Sequence, residues 1–266
     1  MKLGVNLKNK YSLKEKLKQG KPVIGTWNTL ASPLVTEVIA QGGFDFQIID
    51  LEHGPFILDQ IHLHVLACEA AGLCTPIVRV PRCEDWMVLQ AMDQGAQGII
   101  IPHVSNKKSA QDFISALKYY PSGMRGISPF TKAGGFNNNN IINYVGSSNS
   151  ESLAIIIIES KEGLERLDEI LEVKDIDVVY FGAYDLSQEL GYPGDVRHPE
   201  VIKTIRKSVD VVVKHGRSAG GFVPQTKDDI KWLLDMGMRF ITYEVDSSIL
   251  YTHVRNINNW FEEETT

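Results

Sequence analysis

Short apolar runs rich in valine and isoleucine alternate with helix-like segments along the whole chain, and no other feature narrows the fold as far. Strand-like runs occupy residues 23–27, 46–51, 76–80, 98–102, 153–159, 177–181, 219–223 and 240–245. A strand buried on both faces reads as continuous apolar sequence, the mark of a parallel sheet covered by helices. Helical patterns fill the intervals at 30–41, 58–71, 86–94, 109–119, 162–171, 199–214 and 227–236. Gly72, Gly95, Gly216 and Gly237 stand just past four of them, where a helix takes its left-handed cap. Eight strands alternating with helices at this spacing predict a single-domain (β/α)8 barrel over residues 1–266. A doubly wound open sheet is the alternative. Against it, the first strand-to-helix turn, Trp27-Asn28-Thr29, lacks the Gly-x-Gly-x-x-Gly fingerprint.

A length of 266 residues suits one such barrel. A net charge of −6 and the absence of a basic run argue against nucleic acid as a partner. No apolar stretch approaches the roughly 18 residues needed to span a bilayer. The start, Met1-Lys2-Leu3-Gly4-Val5-Asn6-Leu7-Lys8, has no apolar h-region of about 7–15 residues, so it does not read as a secretory signal. Cys68, Cys74 and Cys83 make an odd count without C-x-x-C spacing, which indicates neither a disulfide framework nor a zinc site. The expectation is a soluble, cytoplasmic protein.

Two segments depart from the rhythm. Residues 122–152 hold Gly134-Gly135 and the run Asn137-Asn138-Asn139-Asn140, a polar insertion too irregular for one helix. Long loops of this kind are binding loops or lids, or are disordered. The tail at 249–266 spaces Leu250, Val254, Ile257 and Phe261 by four, three and four, with Trp260 alongside, and so predicts an amphipathic helix. Its stripe needs a partner, on its own barrel or on a neighbouring subunit.

Charged residues cluster where the apolar runs end. The second run continues as Ile49-Asp50-Leu51-Glu52-His53-Gly54-Pro55, the third holds Arg79, the fifth ends in Glu159, and the sixth leads through Gly182 to Asp185. Enzymes built on parallel sheets place their chemistry at the C-terminal ends of the strands. Glu159 and Asp185, brought together from adjacent strands, repel unless a proton or a cation lies between them. Oxygen-only ligation favours a hard divalent ion such as Mg²⁺ or Mn²⁺. Each could instead be a capping carboxylate, since Asp185 precedes a helical stretch. His53 carries the side chain best suited to proton transfer near neutral pH, and a carboxylate beside it could orient the ring. The other six histidines read as mostly structural; His62 and His64, two apart on a helix, point in different directions. Arg79, among apolar residues, wants a carboxylate or oxyanion. The turn Gly182-Ala183-Tyr184-Asp185 offers free backbone N–H groups to an anion.

Taken in order, these motifs resemble the HpcH/HpaI family of metal-dependent pyruvate aldolases. The similarity runs from Gly25-Thr26-Trp27 to Val245-Asp246-Ser247-Ser248-Ile249-Leu250. It rests on Ile49 to Pro55, Val78-Arg79-Val80-Pro81, Asp93-Gln94-Gly95-Ala96-Gln97-Gly98, Tyr120-Pro121-Ser122-Gly123-Met124-Arg125-Gly126, Ile158-Glu159-Ser160 and Phe181 to Ser187.

The resemblance implies reversible cleavage of a 4-hydroxy-2-oxo acid to pyruvate and an aldehyde, whose tail would be a dicarboxylate or a sugar acid. It implies that Glu159 and Asp185 hold a divalent ion (Mg²⁺, Mn²⁺ or Co²⁺) acting as Lewis acid, with Arg79 on the enolate oxygen. His53 would take the C4 hydroxyl proton, with Asp50 beside it among the catalytic residues. Asp93 would pair with that histidine, from a neighbouring subunit. The Gly182, Ala183 and Tyr184 turn would bind the substrate carboxylate, and the C-terminal helix would be exchanged within a hexamer or another dimer-based homo-oligomer. The chain departs from the pattern at Ile157, where family members usually carry glutamine, at Ala183-Tyr184, where they often carry Pro-Ala, and after Gly126, where many carry further arginines. Another metal-enolate lyase or decarboxylase acting on a 2-oxo acid, and a non-catalytic binding barrel, are the alternatives.

Overall fold

A computed structural model describes residues 12–72, 74–139 and 141–266. The reading of the chain's start, and Asn140 of the asparagine run, lie outside the described residues. The elements run α1 (Leu13–Lys18), β1 (Val23–Asn28), α2 (Pro33–Gln41), β2 (Phe46–Asp50), a 3-10 turn (Leu58–Gln60), α3 (Ile61–Ala71), β3 (Thr75–Arg79), α4 (Asp85–Asp93), β4 (Gly98–Ile101) and α5 (Lys107–Leu117). The second half runs α6 (Ile141–Glu151), β5 (Leu153–Ile158), α7 (Lys161–Glu165), α8 (Leu167–Leu171), β6 (Val178–Phe181), α9 (Ala183–Glu189), α10 (Pro199–Lys214), β7 (Ser218–Gly221), α11 (Lys227–Asp235), β8 (Phe240–Val245) and α12 (Asp246–Thr265). All eight strands are parallel neighbours in chain order, and β8 pairs back with β1 to close the barrel. This is the expected (β/α)8 architecture.

Strand parity divides the core into two layers. Phe46 and Ile48, Leu153, Ile155 and Ile157, and Val178 and Tyr180 fill the barrel interior. Their neighbours Ile49, Ala154, Ile156, Ile158, Val179 and Phe181 pack outward against the helices. Both layers are apolar, which is why the strands read as unbroken apolar runs. Inside, Phe46 stacks on Phe240 with ring centroids 4.1 Å apart. Gly25 makes room for that contact, since a Cβ there would stand 2.3 Å from the Phe46 carbonyl oxygen.

Several elements differ from their sequence expectation. The pattern at 30–41 becomes helical only at Pro33, because Ser32 caps the helix and proline suits its first position. The segment 162–171 breaks at Arg166 into α7 and α8. The helix α1 was not expected at all; a reciprocal Ser12–Glu15 cap starts it. The insertion does not cover the C-terminal mouth of its own barrel. It joins the end of α5 to the start of β5, and both lie at the N-terminal floor. There α6 lies beside Thr75, Gln97 and Leu153, and Lys118 Nζ donates to the carbonyls of Asn149 and Ser152 at 2.8 Å each.

The tail helix α12 springs directly from β8. Its first residue, Asp246, accepts hydrogen bonds from the backbone N–H groups of Thr29 and Leu30, both at 2.9 Å, and so fixes the helix to the turn after β1. Beyond that clamp Leu250, Val254, Ile257, Trp260 and Phe261 are all exposed in the single chain. Among the described residues no helix is long and apolar enough to cross a membrane.

Candidate active site at the barrel mouth

The parity that fills the interior also aims the site. Continuing the inward series by two residues leads from Ile48 to Asp50 on β2, from Ile77 to Arg79 on β3, and from Ile157 to Glu159 after β5. A one-residue slip in any of these strands would turn its charged group into the helical layer. Asp50 and Arg79 are direct register partners across β2 and β3. Their side chains meet bidentately: Arg79 Nε donates to Asp50 Oδ1 at 2.7 Å and Nη2 bonds Oδ2. Arg79 Nη1 lies 3.1 Å from Glu52 Oε2, and the guanidinium sits 4.3 Å above the centre of a Trp27 ring. The arginine is therefore held on three sides.

Asp50 has a second task. Its Oδ1 accepts the backbone N–H groups of Glu52 at 3.0 Å and His53 at 3.2 Å. The carboxylate thus shapes the turn that carries His53 and grips its backbone, where a grip on the ring was expected. His53 itself is exposed at the mouth.

A cavity of about 260 Å³ opens between these groups. His53, Asp50, Arg79, Glu159, Asp185 and the Gly182-Ala183-Tyr184 turn all line it, over an apolar floor that includes Trp27, Ile157 and Tyr180. A larger space of about 420 Å³ lies at the barrel floor. It contains none of these strand-end groups, so chemistry and not size identifies the site.

Glu159 is buried at 8% exposure; its Oε1 accepts the backbone N–H of His103 at 2.7 Å, and the Nδ1 of the same residue lies 2.7 Å away as an ion-pair contact. Burial pushes its carboxyl above the usual carboxylate range; Asp185 and Glu52 push the same way, while the bond from the His103 N–H opposes them. The second oxygen, Oε2, faces Gly182, where a Cβ would stand only 2.7 Å away. Asp185, on the first turn of α9, is exposed. The two carboxylates fit a hard cation: the donors are oxygens only, and the charge of Asp185 disfavours charge on Glu159. Among the described residues no three Asp, Glu, His or Cys side chains converge as a metal cage. Two carboxylates with water and substrate completing the shell is the usual protein contribution to Mg²⁺.

Asp93 is the one predicted site residue that stands apart. It belongs to the end of α4, a helix that descends from the mouth, and it pairs there with Arg125 Nη2 at 2.5 Å. His103 and Glu52 are the residues that sequence reasoning undervalued. His103 follows the apolar run of β4, the same kind of position that singled out His53, and Glu52 stands next to His53 in the run after β2. His103 Nε2 lies 3.5 Å from Glu52 Oε1, so an unbroken series Asp50, Arg79, Glu52, His103, Glu159 runs along the rim from β2 to β5.

The comparisons with known proteins agree with the barrel fold. The sequence pattern of the family described as HpcH/HpaI aldolase/citrate lyase matches residues 23–252. A hydroxypyruvate/pyruvate aldolase from Roseobacter denitrificans is 34% identical over 249 residues, which cover 92% of this chain and 95% of the relative. A 2-keto-3-deoxy-L-rhamnonate aldolase from Escherichia coli is 34% identical over 236 residues, covering 89% of this chain and 87% of the relative. Among solved structures, the citrate synthase SbnG superposes with a TM-score of 0.85 at 31% identity, over 96% of this chain and 98% of that one.

Proposed function

The chain belongs to the HpcH/HpaI aldolase/citrate lyase family, and from that premise we propose that it is a divalent-metal-dependent aldolase, reversibly cleaving a 4-hydroxy-2-oxo acid to pyruvate and an aldehyde. The observation that carries this reading is the convergence of His53, Arg79, Glu159 and Asp185 on one cavity at the barrel mouth. Glu159 and Asp185 would hold Mg²⁺, Mn²⁺ or Co²⁺. Bound there, the ion supplies Lewis acidity toward the keto oxygen and carboxylate of a 2-oxo acid.

The chain's own residues account for the rest. Arg79, held by Asp50, Glu52 and Trp27, is fixed in advance as a donor to the oxygen on which charge develops, so no reorganisation is needed during reaction. His53 stands at the open side of the cavity as the base for the C4 hydroxyl. First-turn N–H groups of α9, from Ala183 to Asp185, lack partners within the helix and serve the substrate carboxylate. Asp93 lies at the far end of its own barrel, so its pairing with a His53 requires a neighbouring subunit. The exposed stripe of α12 supports such a homo-oligomer, because leaving five large apolar side chains in water forgoes roughly 1.5–3 kcal/mol each. Truncation after Ser248 tests the assembly: a lower mass by light scattering supports exchange of the helix, and an unchanged mass rules it out.

A coupled assay for pyruvate release from racemic 4-hydroxy-2-oxo acids, with and without EDTA, tests the reaction. Metal-dependent pyruvate supports the aldolase. The likeness to a protein named citrate synthase favours one second reading, another metal-enolate reaction of a 2-oxo acid. Metal-dependent enolisation without aldehyde release would select it.

A further inference from the structure

Between β4 and Val104 the chain makes a local detour. Ile101 is the last residue of β4 paired with β5, opposite Ile156, and Val104 rejoins by donating its N–H to the Ile157 carbonyl at 3.2 Å. Pro102 and His103 occupy the gap. His103 adopts φ 59°, a left-handed conformation uncommon outside glycine, asparagine, aspartate and histidine. Irregularities of this kind at strand ends re-aim side chains beside active sites. Here the result is specific: the backbone N–H and the ring Nδ1 of one residue both reach one oxygen of Glu159, each at 2.7 Å. The ring's other nitrogen faces Glu52, which is itself bound to Arg79.

We infer that His103 is a positioning residue for the metal site: its backbone N–H donates to Oε1 of Glu159, its ring nitrogen stands against the same oxygen as an ion-pair contact, and Oε2 is thereby presented to the cation. The inference rests on the metal reading of Glu159 and Asp185 proposed above. An isolated glutamate has free rotation about its last torsion and can turn either oxygen, or both, toward an ion. A hydrogen bond and an ion-pair contact on one oxygen remove that freedom and favour one-oxygen ligation from the side facing Gly182. Through Glu52 the same ring ties the metal ligand to Arg79, so the cation and the guanidinium that flank the substrate share one frame. Such outer contacts are worth about 10–100-fold in metal affinity.

The test is titration of metal-free protein with Mn²⁺, followed by electron paramagnetic resonance or calorimetry, in two variants. His103→Gly keeps the backbone conformation and the N–H but removes the ring. His103→Asn keeps the left-handed backbone and places an amide N–H near the position of Nδ1. The expected result is an Mn²⁺ dissociation constant raised by about 10–100-fold in the glycine variant and largely restored in the asparagine variant, with both metal-free proteins melting alike. Unchanged affinity in His103→Gly overturns the role of the ring and leaves the metal reading standing. So does equal weakening in both variants accompanied by an equal fall in metal-free melting temperature, which marks a merely structural residue. Mn²⁺ binding that survives both Glu159→Gln and Asp185→Asn removes the metal reading, and this inference with it.

Discussion

At the floor of the barrel, Lys14 lies 2.9 Å from Asp177, Lys118 donates to two carbonyls and the Ser152 hydroxyl, and Arg125 pairs with Asp93. At the mouth, four carboxylates, those of Asp50, Glu52, Glu159 and Asp185, share the guanidinium of Arg79 and the rings of two histidines. Each cation at the floor thus has a carboxylate or carbonyl partner, whereas at the mouth carboxylates outnumber the cations. Buried charge is tolerated cheaply only when partnered. The floor follows that rule and holds elements together. The mouth carries excess negative charge, which adds to burial in raising the Glu159 carboxyl, and a cation is what would relieve it.

If the contrast is correct, substitutions at the mouth cost activity and substitutions at the floor cost stability. The largest effect falls on the unbalanced pair. Glu159→Ala or Asp185→Ala abolishes pyruvate release while the circular dichroism spectrum is unchanged, and EDTA does the same to the unsubstituted protein. Full turnover by either variant in EDTA would break the contrast at its strongest point. Next comes Arg79→Ala, which lowers kcat by about 10²–10³-fold, or about 3–4 kcal/mol, the usual cost of one lost donor to a developing oxyanion. His53→Ala slows cleavage but leaves measurable proton exchange at C3 of pyruvate by NMR; equal loss of both would give His53 the wider task of forming the enolate.

The floor predicts the reverse. Lys14→Met strands Asp177 in a site where both side chains are nearly buried, and urea titration should show a loss of about 3–5 kcal/mol with kcat of the folded enzyme retained. The smallest effect sharpens the comparison through pH. Burial, with Lys14 nearby, pulls the Lys118 ammonium down to about 8 from the usual 10.5. Between those values the unfolded chain keeps a proton that the folded chain has released, so this group's contribution to stability rises with pH across the window. The urea midpoint of the unsubstituted protein, measured relative to Lys118→Met, should climb from pH 8 toward 10.5. A flat difference would mean that the ammonium keeps its proton.

Much of the mouth was legible because strand parity is a local property. Asp50, Arg79 and Glu159 each follow an inward apolar series at a spacing of two, and a reader of the sequence needs only the strand to know where they point. The insertion at 122–152 was equally legible, and strict alternation places any helix-to-strand connection at the floor. Other features depend on distant partners. Lys14 is buried because Asp177 meets it from a strand start 163 residues away (177 − 14), and nothing near α1 announces that. His103 owes its role to a positive φ and to Glu159 across the sheet, neither of which a lone histidine after Pro102 reveals. Asp93 points away from its expected partner because α4 descends, which only the assembled barrel shows.

The clamp at Asp246 makes α12 a lever. Twenty residues at 1.5 Å each give an arm of about 30 Å, and its fulcrum is a single carboxylate fastened to Thr29 and Leu30. Thr29 lines the cavity at the mouth. Whatever grips the far end of that arm delivers its torque first to a wall of the chamber where substrate would sit.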